Sequence, residues 1–500
     1  MITHERMVSV LCGVVLLWVA HAADAADAVE SESKKIAAHL EEEPSALWRS
    51  VVEIFTISNA PDLISPWQRS GTESSSGSGV VIDGRRILTN AHVVTHAVHV
   101  EVKRAGGTQR YVARVAHVDH EADLALLTVE DEEFFDGAPG VPIGSLPRIQ
   151  AKLQVYGFPI GGETLSVTAG VVSRIEVSSY AHSLANLLSV QIDAALNPGN
   201  SGGPAIAEGL LAGIAMSVLE DSNSVGYVVP APVINHFLED VEDGRVDGAP
   251  GLGIECQALS GMGLRQFAEL NPDESGCLVN RVQFGSAAWG AIEVGDVVLE
   301  VDGFIIANDL TVQLTDSLRI KWFYLIQRKQ VGESVRVRIL REGQRIQKTL
   351  KAGPMVALVP NLRWLWQPRY FVFAGLEFQP LDLDYLALFE EIPMELGYPS
   401  AYGNIATGQR QEVVLLSKVL PHEVNRGYHD WMDAVVTSVN NVPVRSMNHI
   451  AELIDKADGR WLIIDTENDL KLVIDLTAAR EIHGGILKTY GVTADRSPGL

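Results

Sequence analysis

The chain has little positive charge. Of its 500 residues, 39 are lysine or arginine and 63 are aspartate or glutamate, which gives a net charge of −24. Nucleic acids and anionic membrane surfaces would repel such a protein, so neither is expected as a partner. Proteins or peptides are the partners that this charge permits.

Cysteine is also scarce, with three residues in the whole chain. Cys12 lies in an apolar N-terminal stretch, which leaves Cys256 and Cys277 for the rest of the protein. Two cysteines exclude the framework of several disulfides that stabilises small secreted domains. Both lie in neighbouring apolar stretches predicted as strands, so two alternatives stay open: a single disulfide, or two small buried thiols.

Long apolar runs are missing after the N-terminus, where none approaches the roughly 18 residues that span a bilayer. The one apolar stretch of note runs from Met7 to Ala20 and is followed by alanine-rich positions. This pattern predicts a signal peptide over residues 1–25, export to a periplasm or out of the cell, and no integral membrane span after processing. Because Arg6 is offset by Glu5, an uncleaved anchor remains the alternative.

What the sequence does contain is typical of packed domains. Apolar residues make up 47% of the chain and charged residues 20%, which suits globular structure rather than disorder. A chain of this length exceeds what one hydrophobic core can organise, so about three or four domains are expected.

The sequence Asn-Pro-Gly-Asn-Ser-Gly-Gly-Pro at 197–204 places Ser201 between glycines. Small neighbours let a substrate backbone come close, and glycine tolerates dihedral angles that aim successive N–H groups at one point. The loop is therefore a candidate oxyanion hole, formed by the N–H groups of Gly199 and Ser201. By itself the motif is equally compatible with an ordinary surface turn.

Two stretches upstream supply partners for Ser201. An apolar strand leads into His92 on a small-residue turn, and Asp123 heads the apolar run Leu-Ala-Leu-Leu. A serine hydroxyl needs an imidazole to accept its proton and a carboxylate to orient that imidazole. The chain order histidine, aspartate, serine is that of the chymotrypsin-type double barrel. His92, Asp123 and Ser201 are therefore the candidate catalytic triad.

With these motifs the chain resembles HtrA/Deg-family serine proteases. Thr-Asn-Ala-His at 89–92, Asp-Leu-Ala-Leu-Leu at 123–127 and Gly-Asn-Ser-Gly-Gly-Pro at 199–204 match that family's triad motifs. The resemblance implies an ATP-independent serine endopeptidase without a cofactor that cleaves unfolded or damaged exported proteins through an acyl-enzyme. It also implies a homo-oligomer, either a trimer or a multiple of three.

The resemblance also places the primary specificity pocket at Leu196, Val218 and Leu219. All three are apolar, which implies that small aliphatic residues such as valine or alanine are preferred before the cleaved bond. An alternative function is that of a chaperone or peptide-binding scaffold whose protease domain is silent or conditionally active.

An internal repeat follows the protease region. Gly-Leu-Gly-Ile at 251–254 recurs as Gly-Leu-Glu-Phe at 375–378, and the two copies resemble PDZ domains, most like those of plant-type Deg proteases. In a PDZ domain this loop binds a peptide carboxylate and the next strand pairs with the peptide. Leu252, Gly253 and Ile254 retain the loop in the first copy. In the second copy Glu377 would repel a carboxylate, which predicts a degenerate, structural or assembly module.

The predicted fold is mainly β, a chymotrypsin-like double antiparallel β-barrel followed by two α+β PDZ-like domains. Turn signals and changes in composition set the boundaries. The predicted segments are a signal peptide at 1–25, an acidic arm at 26–47, a trypsin-like protease domain at 48–245, a first PDZ domain at 250–355, a degenerate PDZ-like domain at 368–480 and a C-terminal tail at 481–500.

Two further features resemble ligand sites, a pair of histidines and a stretch of aromatic residues. His92 and His96 have the spacing of a zinc-binding helix, but valine stands where a catalytic glutamate would be and no acidic third ligand follows, so no metal site is predicted. The aromatic stretch Trp-Leu-Trp at 364–366 is expected to pack between domains rather than to bind a ligand.

Overall fold

The computed structural model describes residues 46–159, 164–216, 225–401 and 405–500. The predicted signal peptide, nearly all of the acidic arm, and the pocket residues Val218 and Leu219 lie outside the described residues. Within the described ranges, no helix has the length and apolar character needed to cross a membrane.

The first half of the chain folds into two closed antiparallel barrels of six strands each, as predicted. The first barrel contains β1 (Val51–Pro61), β2 (Arg69–Ile82), β3 (Arg86–Thr89), β4 (Ala97–Arg104), β5 (Tyr111–Asp119) and β6 (Leu124–Val129). The second contains β7 (Lys152–Gly157), β8 (Ser166–Ser179), β9 (Asn186–Ile192), β10 (Pro204–Ala207), β11 (Leu210–Met216) and β12 (Gly226–Pro230). In the described part of this half, the α-helices are α1 (Ala46–Ser50), α2 (Ala91–Val94) and α3 (Ala231–Asp240).

The barrels share one apolar seam. Leu88 and Leu126 of the first barrel belong to the same buried cluster as Tyr156 and Ile214 of the second. Both barrels therefore bury side chains against each other, and burying this apolar area is the main free-energy gain that holds them together. The loops that carry the candidate triad lie where the strands leave this seam.

The first PDZ-like module packs directly on the second barrel, with which it forms one continuous buried cluster. Its sheet has the order β13-β14-β15-β19-β20, with β16 paired to β15 and a separate β17-β18 hairpin. The strands are β13 (Ile254–Ala258), β14 (Cys277–Val282), β15 (Val297–Val301), β16 (Phe304–Ile305), β17 (Thr311–Thr315), β18 (Leu318–Lys321), β19 (Ser334–Arg341) and β20 (Gln344–Lys351), and the helices are α4 (Met262–Phe267) and α5 (Tyr324–Gln327).

The two cysteines of this module are neighbours. Cys256 on β13 and Cys277 on the paired strand β14 are both free thiols. The hydrogen bond to Cys256 and burial together raise the pKa of the Cys277 thiol well above its ordinary value. Of the two alternatives left open by the sequence, the structure has two free thiols, with Cys277 buried and Cys256 half-buried.

The last module has the strand order β21-β22-β23-β24-β26-β27, with β25 paired to β24. Its strands are β21 (Phe371–Phe373), β22 (Leu376–Pro380), β23 (Val414–Val419), β24 (Met432–Val439), β25 (Val442–Pro443), β26 (Trp461–Thr466) and β27 (Lys471–Asp475). Its helices are α6 (Leu383–Leu386), α7 (Met394–Ala401), α8 (Met447–Asp455) and α9 (Leu476–Thr489).

The C-terminal residues do not form the separate tail predicted at 481–500. Helix α9 runs through that boundary. Beyond it, the N–H of Val372 donates to the carbonyl of Asp495 at 2.6 Å, and the N–H of Ser497 donates to the carbonyl of Tyr370 at 3.0 Å. The end of the chain is therefore hydrogen-bonded to β21 and to the residue before it, so it belongs to the last module.

The two modules differ at the sheet edge that adds a peptide in PDZ domains. Strand β13 is the edge strand of its sheet, and no other strand in the described ranges pairs with its outer side. Its counterpart β22 is paired on that side by the module's own β21, through a hairpin at Ala374 and Gly375 where both residues have positive φ. A peptide could add to the last module only by displacing β21.

The prediction that Glu377 makes the last module degenerate by repelling a carboxylate is wrong. Glu377 is fully buried on β22, and its carboxylate lies 3.4 Å from the ammonium of Lys418 instead of facing a ligand. Burial raises the pKa of Glu377 to about 7, although Lys418 opposes the shift. Strand pairing by β21, rather than repulsion by Glu377, closes this edge.

Replacing the anchor of β21 should destabilise the last module. Phe371 is fully buried and its ring packs against that of Phe378 at 6.0 Å. We expect Phe371→Ala to lower the free energy of unfolding of this module by about 3–5 kcal/mol. Urea unfolding followed by tryptophan fluorescence measures the change. Phe267→Ala, in the first module, is the control for loss of an exposed phenylalanine, since Phe267 is 81% exposed and its loss should cost under about 0.5 kcal/mol. Equal effects of the two substitutions would contradict the prediction.

Candidate active site

Strand pairing brings His92 and Asp123 together. Strand β3 leads into α2, which carries His92, and Asp123 immediately precedes β6. Because β3 and β6 pair with Thr89 opposite Ala125, the end of one strand lies beside the start of the other. Nδ1 of His92 lies 2.8 Å from Oδ2 of Asp123, and the backbone N–H of His92 donates to Oδ1 of Asp123 at 3.0 Å.

The carboxylate of Asp123 is held in one orientation. Asp123 is buried, with a positive φ of 53°. The side-chain amide of Asn90 donates to the carbonyl of Asp123 at 2.8 Å. A non-glycine residue with positive φ is uncommon, and such a conformation persists only where its surroundings stabilise it. The N-cap residue of α2, Asn90, thus fixes the backbone of Asp123, and the helix itself carries His92.

Burial and charge act in opposite directions on this pair. Burial favours the neutral imidazole of His92, but the attraction of Asp123 and its hydrogen bond outweigh burial, so the pKa of His92 is raised. Burial likewise opposes the charge of Asp123, yet the attraction and hydrogen bonds of His92 lower its pKa. Asp123 is therefore an anion at neutral pH, and it stabilises the protonated form of His92.

Ser201 lies at the junction of the two barrels. Its carbonyl accepts a hydrogen bond from the N–H of Ser78 on β2, at 2.8 Å. The carbonyl of Ser78 in turn accepts from the hydroxyl of Thr89 at 2.7 Å, three residues before His92. Ser201 is thus joined, through Ser78 and Thr89, to the part of the first barrel that carries His92.

Backbone contacts require glycine on both sides of Ser201. A Cβ at Gly202 would lie 2.1 Å from the carbonyl oxygen of Ser78, and one at Gly203 would lie 2.0 Å from that of Tyr156. Gly199 has a φ of 96°, and its carbonyl accepts from the hydroxyl of Ser78 at 2.7 Å. The loop is therefore confined to one conformation, and it contains the N–H groups of Gly199 and Ser201 predicted to bind the oxyanion.

Of the predicted pocket residues, the structure describes only Leu196. Its side chain is half-buried and covers Gly226, where an added Cβ would lie 2.7 Å from Cγ of Leu196. Val218 and Leu219 lie outside the described residues, so the composition of the pocket stays a prediction.

The predicted carboxylate loop of the first module has the expected position before β13. Gly253 has a φ of 72°, and its carbonyl accepts from the N–H of Gln283 at 2.9 Å. A Cβ at Gly253 would lie 2.2 Å from that of Ser286. Leu252 is buried, and Ile254 begins the edge strand. Glycine is therefore required at 253 for both backbone conformation and space.

Sequence analysis missed two histidines at the site. Nδ1 of His120 lies 3.0 Å from Nε2 of His182, and the His182 ring lies 5.9 Å from that of His92. Burial lowers the pKa of both His120 and His182 to about 4, so both are neutral at neutral pH. The sequence could have indicated His120 by its position three residues before Asp123. His182 lies in a loop whose sequence contains no motif that would indicate a site.

The second histidine of the rejected zinc motif, His96, contacts the segment that joins the two modules. His96 has a positive φ of 52°, and its Nε2 donates to the carbonyls of Trp364 and Leu365 at 3.1 and 3.2 Å. The Trp-Leu-Trp stretch, in the segment that joins the two modules, therefore contacts the protease domain through its backbone.

Comparison with known proteins gives consistent matches. A model of trypsin-like peptidase domains matches residues 77–214, and a model of PDZ domains matches residues 359–499. Protease Do-like 2, chloroplastic, of Arabidopsis thaliana is 40% identical over 460 residues, which cover 90% of this chain and 75% of that protein. Putative protease Do-like 3, mitochondrial, of the same plant is 35% identical over 452 residues, covering 90% and 80%. The solved structure of the HtrA-type protease AlgW with decapeptide has a TM-score of 0.48 and 23% identity, covering 62% of this chain and 97% of that one.

The charge of Asp123 should control the titration of His92. We expect the pKa of His92 to lie above the ordinary histidine value of about 6.5. Asp123→Asn should lower it below that of the unsubstituted protein, because burial persists after the attraction is gone. Histidine Cε1–H resonances measured by NMR against pH give both values, with His92→Gln to assign the signal. An unchanged midpoint in Asp123→Asn would show that the pair is not coupled in solution.

Proposed function

The chain belongs to the HtrA/Deg family of PDZ-containing serine endopeptidases, and on that premise we propose that His92, Asp123 and Ser201 are its catalytic triad. The observation that carries the proposal is the contact between Nδ1 of His92 and the buried carboxylate of Asp123. This contact selects the tautomer with its proton on Nδ1, so the acceptor lone pair of the neutral ring is on Nε2.

The reaction then follows from these roles. Nε2 of His92 accepts the proton of Ser201 as its oxygen attacks the peptide carbonyl, and His92 returns that proton to the leaving amine. The N–H groups of Gly199 and Ser201 stabilise the oxyanion. Water, deprotonated by the same imidazole, hydrolyses the acyl-enzyme. Because only neutral His92 accepts a proton, activity rises as the pH passes the raised pKa of this residue.

The proposed substrates are unfolded or damaged proteins, which are captured without ATP. An extended segment would add to the open edge of β13, and its C-terminal carboxylate would bind at Leu252, Gly253 and Ile254. The apolar side chain of Leu196 favours small aliphatic residues before the cleaved bond. Export and assembly into a trimer, or a multiple of three, belong to the same proposal and derive from the N-terminal apolar stretch and from the family resemblance.

Removing the nucleophile should abolish proteolysis. We expect Ser201→Ala to lower kcat on casein by about 10⁴–10⁶, because no other group replaces the hydroxyl. Thermal unfolding of the same variant controls for folding and should change little. Cleavage by Ser201→Ala at a few per cent of the normal rate would refute the triad. If the unsubstituted protein binds casein without cutting it, the alternative of a peptide-binding scaffold takes its place.

The mass of the purified protein in solution tests its assembly into a trimer or a multiple of three. The identity of its N-terminal residue tests whether the signal peptide is removed.

Peptide capture should depend on the groove side of β13. Ile254 is half-buried and packs against the core of the first module, whereas Glu255 faces solvent. We expect Ile254→Asp to weaken binding of a fluorescent peptide with an apolar C-terminus at least about tenfold, since a charge replaces apolar contact. Glu255→Lys is the matched control on the same strand. Gly253→Glu is unsuitable, because its side chain has no space. Binding that is unaffected by Ile254→Asp would exclude β13 as the capture site.

A further inference from the structure

The segment that joins the two modules reaches the candidate active site. In this segment, residues 362–366, the indole N–H of Trp364 donates to the carbonyl of His182 at 2.9 Å. The Trp364 and His182 rings are stacked, with centroids 4.8 Å apart and planes at 10°. Aromatic rings stacked in this way attract each other beyond the effect of apolar burial alone. The contact is therefore specific in both distance and direction.

His182 connects Trp364 to the catalytic pair. Its ring lies 4.8 Å from the Trp364 ring and 5.9 Å from the His92 ring, so it contacts both. It is also hydrogen-bonded to His120, and the charge of Asp123 acts on it. The loop that carries His182 is anchored by the hydroxyl of Ser183, which donates to the carbonyl of Glu121 at 2.8 Å. His182 thus covers the flank of the His92–Asp123 pair.

The last module holds the segment in place. The carboxylate of Asp384, on α6 of that module, accepts the N–H of Arg363 at 2.8 Å and that of Trp364 at 3.4 Å. From the protease side, His96 donates to the carbonyl of Trp364 at 3.1 Å. The backbone of Trp364 is therefore fixed by both domains, and its ring has little freedom to leave His182.

We propose that Trp364 is a positioning residue for catalysis, which acts through His182 to hold the His92–Asp123 pair in a water-excluded site. The inference rests on the proposed function, because it requires His92 to be the general base. Electrostatic interactions strengthen where water is excluded, so the cover formed by His182 stabilises the imidazolium that forms during attack. The last module, whose own strand β21 closes its peptide-binding edge, thereby contributes to the reaction through the segment it holds.

Steady-state kinetics on a short chromogenic peptide test the proposal in the full-length protein. We expect Trp364→Ala to lower kcat about tenfold, because a small displacement of the base is costly, and to leave KM within about twofold. Trp364→Phe keeps the stacked ring and should retain most of kcat. Trp366→Ala is the matched control in the same segment, since Trp366 is half exposed and its ring contacts Arg69 at 4.0 Å and His96 at 6.3 Å, whereas the ring stacked on His182 is that of Trp364. Its kcat should stay within about twofold of that of the unsubstituted protein.

A pH profile separates positioning from loss of stability. The groups that face His182 are His92, Asp123, His120 and His96. With the indole gone, His182 is hydrated and gains a proton in the same pH range as His92. The acid limb of kcat should then fall more steeply in Trp364→Ala than the single ionisation expected of the unsubstituted protein. A merely structural role would scale the whole profile without changing its slope.

A double-mutant cycle tests the route through the last module. Asp384→Ala should lower kcat less than Trp364→Ala, and the double variant should match Trp364→Ala, because both changes act on one ring. An unchanged or increased kcat in Trp364→Ala, an equal loss in Trp366→Ala, or additive effects of Trp364→Ala and Asp384→Ala would each overturn the inference. If Ser201→Ala stays active, the triad itself is wrong; if it is inactive while Trp364→Ala is fully active, this inference alone fails.

Discussion

The geometry of the site depends on the hydrogen bonds of one buried residue, Ser78. Its N–H binds the carbonyl of Ser201, its hydroxyl binds the carbonyl of Gly199 and accepts the N–H of Phe158, and its carbonyl accepts the hydroxyl of Thr89. These bonds join the first barrel, which carries the histidine and aspartate, to the second, which carries the serine. The nucleophile loop is thereby held against the opposite barrel with no polar group of Ser78 left unpaired.

Such close backbone contact explains why glycines surround Ser201. Side chains at Gly202 or Gly203 would overlap carbonyl oxygens of both barrels. Rigid backbone amides cost no reorganisation when charge develops on a substrate oxygen, which is the main advantage of an oxyanion hole. The same rigidity makes the site depend on the apolar seam between the barrels, since a shift of one barrel would move Ser201 relative to His92.

The two C-terminal modules show how one sequence motif can have two structural roles. In the first, the loop at Gly253 leads to an edge strand that is open to a peptide. In the last, the equivalent strand β22 is paired with β21, and residues near Asp495 in turn hydrogen-bond to β21. With that edge closed, the segment around Trp364, held by Asp384, connects this module to the His92–Asp123 pair through His182.

The sequence by itself determined the double barrel, the two modules and the triad candidates, because strand periodicity and the motifs around His92, Asp123 and Ser201 are local patterns. Only the tertiary structure decided the closed edge of β22, the assignment of the chain's end to the last module, and the contact of His182 with Trp364. The last contact joins residues 182 positions apart. No local pattern records such a pair, because its geometry depends on how separately folded domains pack against each other.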